Sequence, residues 1–203
     1  GPQARQDVQA FRAQSCAILS GADTVISDNA KLNVRPEELP FAMPTSLPIR
    51  QPTRVIIDSQ NRLTPDLALF SIESPVIIFT TQLDNQQQWP HFVKHEVVAA
   101  NKNKVDLSAV LARLAELQFN HIWLEAGATL AGAFAQQDLI DEYIVYIAPK
   151  LIGDMGKSLL NFAEVTAMGD VTQLTFTDTQ IIGDDIRLTA YKAKQATHTE
   201  DKE

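Results

Sequence analysis

Short apolar runs, each closed by glycine or polar residues, recur along the chain and predict buried β-strands. Six segments share this pattern: CAILSG (16–21), RVIIDS (54–59), PVIIFT (75–80), a weaker stretch at 93–99, HIWLEAG (121–127) and DEYIVYIAPKLIG (141–153). Strands that are covered on both faces carry continuous rather than alternating apolar residues. The six segments are therefore typical of a largely parallel sheet.

Helical spacing of apolar residues separates several of these runs. The residues after Pro2 carry a loose apolar stripe, and 106–119 carries leucines at helical spacing behind Asp106, which is placed to cap a helix. A small-residue helix is expected at 129–139, with Thr129 as a capping residue. Between 33 and 53 a proline recurs at every fourth position, which predicts a long irregular segment.

The C-terminal part of the chain has a different pattern. VTQLTFTDTQ (171–180) and DIRLTAYKA (185–193) alternate apolar and polar residues around a Gly-Asp-Asp turn, which predicts an antiparallel hairpin at the edge of the sheet. The expected fold class is therefore α/β, with a mixed, mostly parallel sheet flanked by helices and an antiparallel C-terminal hairpin. We expect one domain over 1–193 and a disordered polar tail at 194–203.

Charge and composition narrow the function. With 17 Lys+Arg against 25 Asp+Glu, the net charge of −8 disfavours nucleic acid as a partner. One cysteine, Cys16, excludes an internal disulfide and a thiolate-rich metal site. No apolar run approaches the ~20 residues of a membrane helix, and the first residues lack the order of a signal peptide. We expect a cytoplasmic protein without a membrane partner.

The stretch WLEAGATLAGAFA carries the strongest candidate for chemistry. A strand runs into Gly127, and a helix begins within a residue or two, which leaves backbone N–H groups free to bind a phosphate. Gly127 and Gly132 keep the backbone uncovered. No lysine follows Gly132, and only two glycines occur, so neither a P-loop nor a Rossmann fingerprint is satisfied. The alternative is a small-residue helix that packs closely on the sheet.

Several single residues are weaker candidates. Glu125 ends the same strand, where a carboxylate can accept two N–H groups of a heterocycle, although a solvated or helix-capping glutamate explains it too. Arg35 is a natural phosphate anchor because its planar fork binds bidentately. Arg12, on the first helix, is expected to be exposed. Ser59 is placed to bind a phosphate or a ribose, or to cap a turn.

Two other groups of residues point away from chemistry. His91 and His95 have metal-ligand spacing, but no third ligand is near, so no metal site is predicted. Trp123 and Phe79 are expected to be core residues. Nucleophilic catalysis has no candidate, because neither a Gly-x-Ser-x-Gly elbow nor a supported cysteine–histidine pair occurs.

The segments SGADTVISDNAKLNVR, RVIIDSQNRLTP and WLEAGATLAGAFAQQDLIDEYIVYIAPKLIG, in this order, resemble a known family. The family is the reductase domain of the bifunctional riboflavin-biosynthesis deaminase/reductase, which has a dihydrofolate-reductase-like fold. The resemblance implies NADPH-dependent reduction of 5-amino-6-(5-phosphoribosylamino)uracil to the ribitylamino product. Hydride would pass to C1 of the opened ribose, and Asp28, Glu125 and water remain alternatives as the proton source.

The resemblance also implies which residues bind each ligand. The substrate would be contacted by Arg12, Leu32, Arg35 and Glu125. The cofactor would be contacted by Thr24, Asp28, Ser59, Gly127, Ala128, Thr129, Leu130, Ala131, Gly132 and Ala133. No residue is assigned as catalytic. The apolar segment DEYIVYIAPKLIG indicates a homodimer.

Three departures from the family pattern bear on this reading. Asp28-Asn29-Ala30 stands where the family often has Asp-Asp-Pro, so the turn after Asp28 is expected to be less rigid, and Ala128 stands where proline or glycine is common. The third departure is that the family's domain begins with a strand upstream of the segment matching Gly1. Separately, the zinc deaminase motifs do not occur in this sequence. Two alternatives therefore remain: another reductase of this fold acting on a pterin or pyrimidine, and a non-catalytic nucleotide-binding or dimerisation module.

Overall fold

A computed structural model describes residues 1–41, 48–83, 87–162, 166–168 and 171–193. Its helices are α1 (Pro2–Gln14), α2 (Ala22–Asp28), α3 (Leu107–Glu116) and α4 (Ala128–Gln136), with 3-10 turns at Pro36–Glu38 and Ala68–Ser71. Its strands are β1 (Ala17–Gly21), β2 (Thr53–Ile57), β3 (Val76–Thr80), β4 (Val93–Val97), β5 (Ala100–Asn101), β6 (Lys104–Val105), β7 (Ile122–Leu124), β8 (Glu142–Ile147), β9 (Leu174–Ile182) and β10 (Asp185–Lys192). Pro44 of the predicted irregular segment and the predicted tail at 194–203 lie outside the described residues.

Five strands form an all-parallel sheet in the order β4-β3-β2-β1-β7. β1 lies between β2 and β7, pairing with β2 from Ala17↔Thr53 onward and with β7 from Ala17↔Ile122 onward. β5 and β6 form a separate two-stranded ladder. The prediction of a largely parallel sheet is confirmed for five of the six apolar runs, including the weaker strand at 93–97. The sixth run, at 141–153, forms β8, which pairs antiparallel with β10.

Two apolar clusters cover the two faces of the parallel sheet. On one face, Leu19 and Phe79 pack with Leu114 of α3 and Phe134 of α4. On the other face, residues of the strands pack with Val25 of α2 and with the loop that precedes β3. Because both faces are buried, the strands carry few polar side chains, as the sequence pattern predicts.

Of the two predicted helix-capping residues, one caps its helix and the other does not. Asp106 caps α3 as predicted, since its carboxylate accepts hydrogen bonds from the amides of Ser108 and Ala109. The prediction that Thr129 caps α4 is wrong, because α4 begins at Ala128 and its cap is Gly127, which offers no side chain. Thr129 lies inside the first turn of the helix.

β8, β10 and β9 form a second, antiparallel sheet in that order. β9 and β10 are the predicted hairpin, and Gly183 in its turn has a φ of +64°, which glycine adopts without strain. The expectation that this hairpin extends the parallel sheet is wrong. Among the described residues, β8 bonds to β10 but not to β7, and residues of both β7 and β8 line one cleft.

Helix α1 bridges the two sheets. Towards the antiparallel sheet, the Asp7 carboxylate accepts hydrogen bonds from the Tyr146 hydroxyl at 2.6 Å and from Arg187 at 2.8 Å. Burial, together with the Asp7 carboxylate, raises the pKa of Tyr146. Towards the parallel sheet, Arg12 binds Glu125. The helix thus spans a cleft of about 780 Å³ between β7 and β8. No helix in the described part of the chain is long and apolar enough to cross a membrane.

Candidate active site at the carboxyl edge of the parallel sheet

The parallel strands place most of the predicted site residues at one edge. Ser59 follows β2, Thr24 lies on the helix that follows β1, and Glu125 follows β7. These strands are neighbours, with β1 between β2 and β7. Because parallel strands end at the same edge, the side chains that follow them converge where ligands of open α/β sheets bind.

The first turn of α4 presents free backbone donors. The Gly127 amide donates to the Thr24 hydroxyl at 3.2 Å, and a Cβ added at Gly127 would approach only that hydroxyl, at 3.7 Å. Within the described residues, no acceptor is bonded to the amides of Ala128, Thr129 and Leu130. A helix end with free amides and no covering side chain attracts an anion. The arrangement therefore offers a phosphate site beside Thr24.

Gly132 has a different role from Gly127. A Cβ at Gly132 would lie 2.1 Å from the Asn161 carbonyl oxygen, so the missing side chain admits that backbone. The Asn161 amide donates to the Ala128 carbonyl at 3.0 Å, and its side-chain amide donates to the Thr129 hydroxyl at 3.1 Å. The expectation of an uncovered backbone holds at Gly127, while Gly132 is covered by Asn161. Ala131 lines the cleft, and Ala133 packs on the core.

The remaining residues expected at the cofactor lie around the same edge. Asp28 is exposed, one helical turn after Thr24 on α2. In the turn after Asp28, Asn29 adopts the left-handed conformation, and its side-chain oxygen accepts a hydrogen bond from the Ala68 amide at 2.9 Å. The Ser59 hydroxyl accepts the Val105 amide at 2.9 Å, which leaves its proton free to donate. The structure thus brings Thr24 and Gly127 into contact and sets Ser59 further along the edge.

Glu125 is not a helix cap, and its side chain is only partly exposed because it forms an ion pair with Arg12. The Arg12 guanidinium reaches both carboxylate oxygens and also donates to the Asn33 carbonyl at 2.9 Å. Only 11% of the Arg12 side chain is exposed, so the expectation of an exposed arginine is wrong. The arginine joins α1, the loop at Asn33 and the end of β7. Arg12 thereby holds the Glu125 carboxylate in position at the site.

Leu32 and Arg35 lie on the loop that Arg12 holds. Leu32 is 3% exposed and packs in the core with a φ of +49°, so its side chain is not available to a ligand. Arg35 is paired with Glu38 at 2.7 Å, yet 42% of its side chain remains exposed. Of these two, Arg35 has the side chain that can reach an anion.

Sequence reasoning missed the role of Trp123. Phe79 is a fully buried core residue, as expected. Trp123 packs against the core as a half-buried residue, but it also lines the cleft and donates from its indole Nε1 to Glu125 at 3.1 Å. The available signal was its position two residues before Glu125, because alternate residues of a strand share one face.

No metal centre is built from the described residues, in which no three of His, Cys, Asp and Glu are grouped to hold an ion. His91 is instead paired with Glu73 at 3.2 Å on the surface. The site is therefore organised by free amides, one ion pair and an exposed arginine.

Residues 1–188 match the family model described as the RibD C-terminal domain. The chain belongs to the RibD C-terminal domain family. The family that the three sequence segments indicate is thereby confirmed. It is also consistent with the α/β architecture of the structure.

Relatives and solved structures of the family agree with this assignment. The chain is 40% identical over 190 residues to the riboflavin biosynthesis protein RibD of Escherichia coli K12, which covers 92% of this chain and 52% of that protein. It is 37% identical over 189 residues to the 5-amino-6-(5-phosphoribosylamino)uracil reductase of Buchnera aphidicola (subsp. Acyrthosiphon pisum), covering 92% and 91%. The RibD structure from Acinetobacter baumannii superimposes with a TM-score of 0.80 at 32% identity, covering 96% and 51%.

The extent of these matches differs between relatives. The chain spans about half the length of the E. coli and Haemophilus influenzae RibD proteins, at 52% and 51%. It spans nearly all of the Buchnera reductase. The part that the family members share with this chain is therefore the RibD C-terminal domain.

Proposed function

We propose that the chain is an NADPH-dependent reductase of 5-amino-6-(5-phosphoribosylamino)uracil that acts in riboflavin biosynthesis in the cytoplasm. The observation that carries the proposal is the free first turn of α4, which lies directly beyond Glu125. It offers anion-binding amides next to a carboxylate that can accept a heterocyclic N–H. The name of the Buchnera relative supports this substrate.

The residues present fit a dinucleotide. The amides of Ala128, Thr129 and Leu130 are donors without acceptors among the described residues, and Gly127 leaves room for a phosphate above them. Thr24 and Ser59 offer hydroxyls along the same edge, and Asp28 follows on the exposed face of α2. When bound, a reduced nicotinamide supplies the hydride, while the protein supplies position and electrostatics.

The substrate side of the proposal rests on the loop that follows α2 and on the end of β7. Glu125 is held by Arg12 and faces the site with 33% of its side chain exposed. Arg35 has a partly exposed side chain for the substrate phosphate, and the contact from Leu32 rests on the resemblance alone. Arg12 acts on the substrate through Glu125, because all its described hydrogen bonds go to Glu125 and Asn33.

We also propose that residues 1–193 form a reductase domain whose cleft receives one more β-strand, as the resemblance implies for the segment upstream of Gly1. The Glu125 amide bonds to the Leu19 carbonyl and the His121 carbonyl accepts the Ala17 amide, so Ile122 and Leu124 turn their backbone groups to the cleft. Hydrogen exchange tests this proposal. An added strand should protect the amides of Ile122 and Leu124 from exchange. Unchanged exchange rates of these two amides in a longer chain would contradict it.

The proposed function is tested by mixing the chain with the phosphoribosylaminouracil and NADPH and following oxidation of the dinucleotide. Reduction of this substrate in preference to a dihydropterin supports the proposal. Activity on the dihydropterin alone supports another reductase of this fold. A chain that neither binds nor oxidises NADPH would support a non-catalytic module. A parallel assay with NADH tests the choice of dinucleotide.

Replacing Arg35 tests the substrate side. We expect Arg35→Ala to raise the substrate KM by about ten- to hundredfold, because one charge-assisted hydrogen bond is lost. The affinity for NADPH should stay nearly unchanged. Arg5→Ala removes an exposed arginine of α1 and serves as the matched control. Equal kinetics for the two variants would remove Arg35 from the site.

A homodimer through the antiparallel sheet completes the proposal. Ile147, Ile186 and Ile181 are directly opposite one another across β8, β10 and β9 and form an exposed apolar row. Among the described strands, the outer edge of β9 is unpaired. An exposed apolar row beside a free strand edge favours association with a second copy.

A further inference from the structure

Two side chains hold the Glu125 carboxylate, and they use its oxygens unequally. Arg12 spans both oxygens, with 2.9 Å from Nε to Oε2 and 2.5 Å from Nη2 to Oε1. The Trp123 indole Nε1 also donates to Oε2, at 3.1 Å. Oε2 therefore accepts two hydrogen bonds from the protein, and Oε1 accepts one.

The remaining acceptor capacity of Glu125 lies on Oε1. Each oxygen of an ionised carboxylate has about two acceptor positions. No further donor within the described residues reaches Oε1, and 33% of the side chain is exposed. The sequence alone allows this carboxylate to accept two N–H groups of a heterocycle. The structure leaves room for one.

Trp123 can impose this asymmetry because its ring is fixed by packing. The indole stacks on the Phe11 ring, with 4.9 Å between centroids and 7° between planes. The Arg187 guanidinium lies over Phe11, 5.5 Å from the ring centroid. Phe11 directly precedes Arg12 on α1, so one helix fixes the indole and supplies the guanidinium. The direction of the indole N–H is therefore set independently of Glu125.

We propose that Trp123 is a positioning residue for substrate binding, which turns Glu125 so that Oε1 accepts a single N–H of the substrate. This rests on the proposed function, in which Glu125 contacts the pyrimidine. The indole N–H occupies Oε2 and keeps the carboxylate from rotating to accept two ligand donors. The site thereby selects a heterocycle that presents one N–H to Oε1.

The kinetic test compares the same substitution at both tryptophans of the chain. Trp123→Phe keeps an aromatic ring on Phe11 but removes the N–H donor. Trp89→Phe is the matched control, since Trp89 is also half-buried and also contacts an aromatic ring, that of Phe70 at 5.1 Å. We expect Trp123→Phe to raise the substrate KM by about tenfold, with kcat and the NADPH KM changed less than about twofold. The control should match the wild type.

A second measurement does not depend on turnover. In the nitrogen-15-labelled protein, the two tryptophans give two indole N–H signals, and Trp89→Phe identifies the signal of Trp123. We expect Glu125→Gln to shift the Trp123 signal and to leave the Trp89 signal in place. If the wild type fails to reduce the substrate, the proposed function fails, and this measurement still tests the contact.

Three results would overturn the positioning role. One is a Trp123→Phe variant with the substrate KM of the wild type. Another is an equal loss of activity and thermal stability in both tryptophan variants, which would indicate packing alone. The third is an unmoved Trp123 signal in the Glu125→Gln protein. A selective rise in the substrate KM together with the shifted signal would support the role.

Discussion

The parallel and antiparallel sheets of this chain differ most in how they are covered. Every residue of β3 is buried, and so are four of the five residues in β1 and in β2. In β9, by contrast, no residue is fully buried, and Ile181 is 80% exposed. Helices and loops cover both faces of the parallel sheet, whereas the antiparallel sheet is partly open.

The parallel sheet and the antiparallel sheet therefore suit different tasks, ligand binding and contact with a second copy of the chain. The candidate site lies at the ends of β1, β2 and β7, of which β1 and β2 are buried and β7 is a half-buried edge strand. The partly open sheet carries the apolar row of Ile147, Ile186 and Ile181. A covered scaffold suits a binding site because its groups stay in position, and an open face suits contact with a second copy.

The substitution of a buried arginine on strand β2 is expected to give the greatest loss of stability. Arg54 is fully buried on β2 and donates to the carbonyls of Leu69, Ile72 and Ser74. Burial lowers its pKa to about 10, so it stays charged at neutral pH. We expect Arg54→Met to lower the free energy of unfolding by about 3 kcal/mol or more, since these carbonyls lose their donor. Urea unfolding measures it.

Arg187→Met is the counterpart of this variant in the antiparallel sheet. Arg187 pairs with Asp7 and Asp178, and 13% of its side chain is exposed. Its replacement should lower the free energy of unfolding by less, about 1–2 kcal/mol. Asp7 still accepts the hydrogen bond of the Tyr146 hydroxyl, and Asp178 is exposed enough to be hydrated. An equal or larger cost at Arg187 would contradict the contrast between the two sheets.

One isoleucine in each sheet allows the stability of the two sheets to be compared directly. Ile56 of β2 is fully buried, while Ile186 of β10 is 41% exposed. We expect Ile56→Ala to cost about 2–5 kcal/mol, because it leaves a cavity in the core. Ile186→Ala should cost about 1 kcal/mol or less. Thermal unfolding of both variants beside the wild type checks this, and similar losses would show that the second sheet is as well covered as the first.

The smallest effect on stability is expected at the open edge of β9. Ile181→Lys places a charge in the exposed apolar row and should change the free energy of unfolding by about 0.5 kcal/mol or less. It should nevertheless shift the dimer to monomer in sedimentation equilibrium. Gln180→Lys, an exposed residue on the opposite face of the same strand, is the control. A wild type that is monomeric at all concentrations would refute the dimer.

Local patterns accounted for most of the secondary structure. The apolar runs predicted the five parallel strands, and Asp106 predicted the start of α3, because both signals act within a few residues. The cap of α4 was missed for a related reason: Gly127 lets the helix begin at Ala128 with free amides, and a nearby threonine hydroxyl was a misleading cap signal. The exposure of Arg12 was also missed, since its partner lies 113 positions away.

The strands, the helices, the hairpin and the family could be read from the amino-acid sequence, because hydrophobic period, turn chemistry and ordered motifs are properties of neighbouring residues. Three features required the folded chain: the hairpin stands apart from the parallel sheet, Asn161 covers Gly132, and Trp123 and Arg12 share Glu125. These contacts join segments far apart in the chain. Their geometry follows from how helices pack across the sheets, which no local pattern encodes.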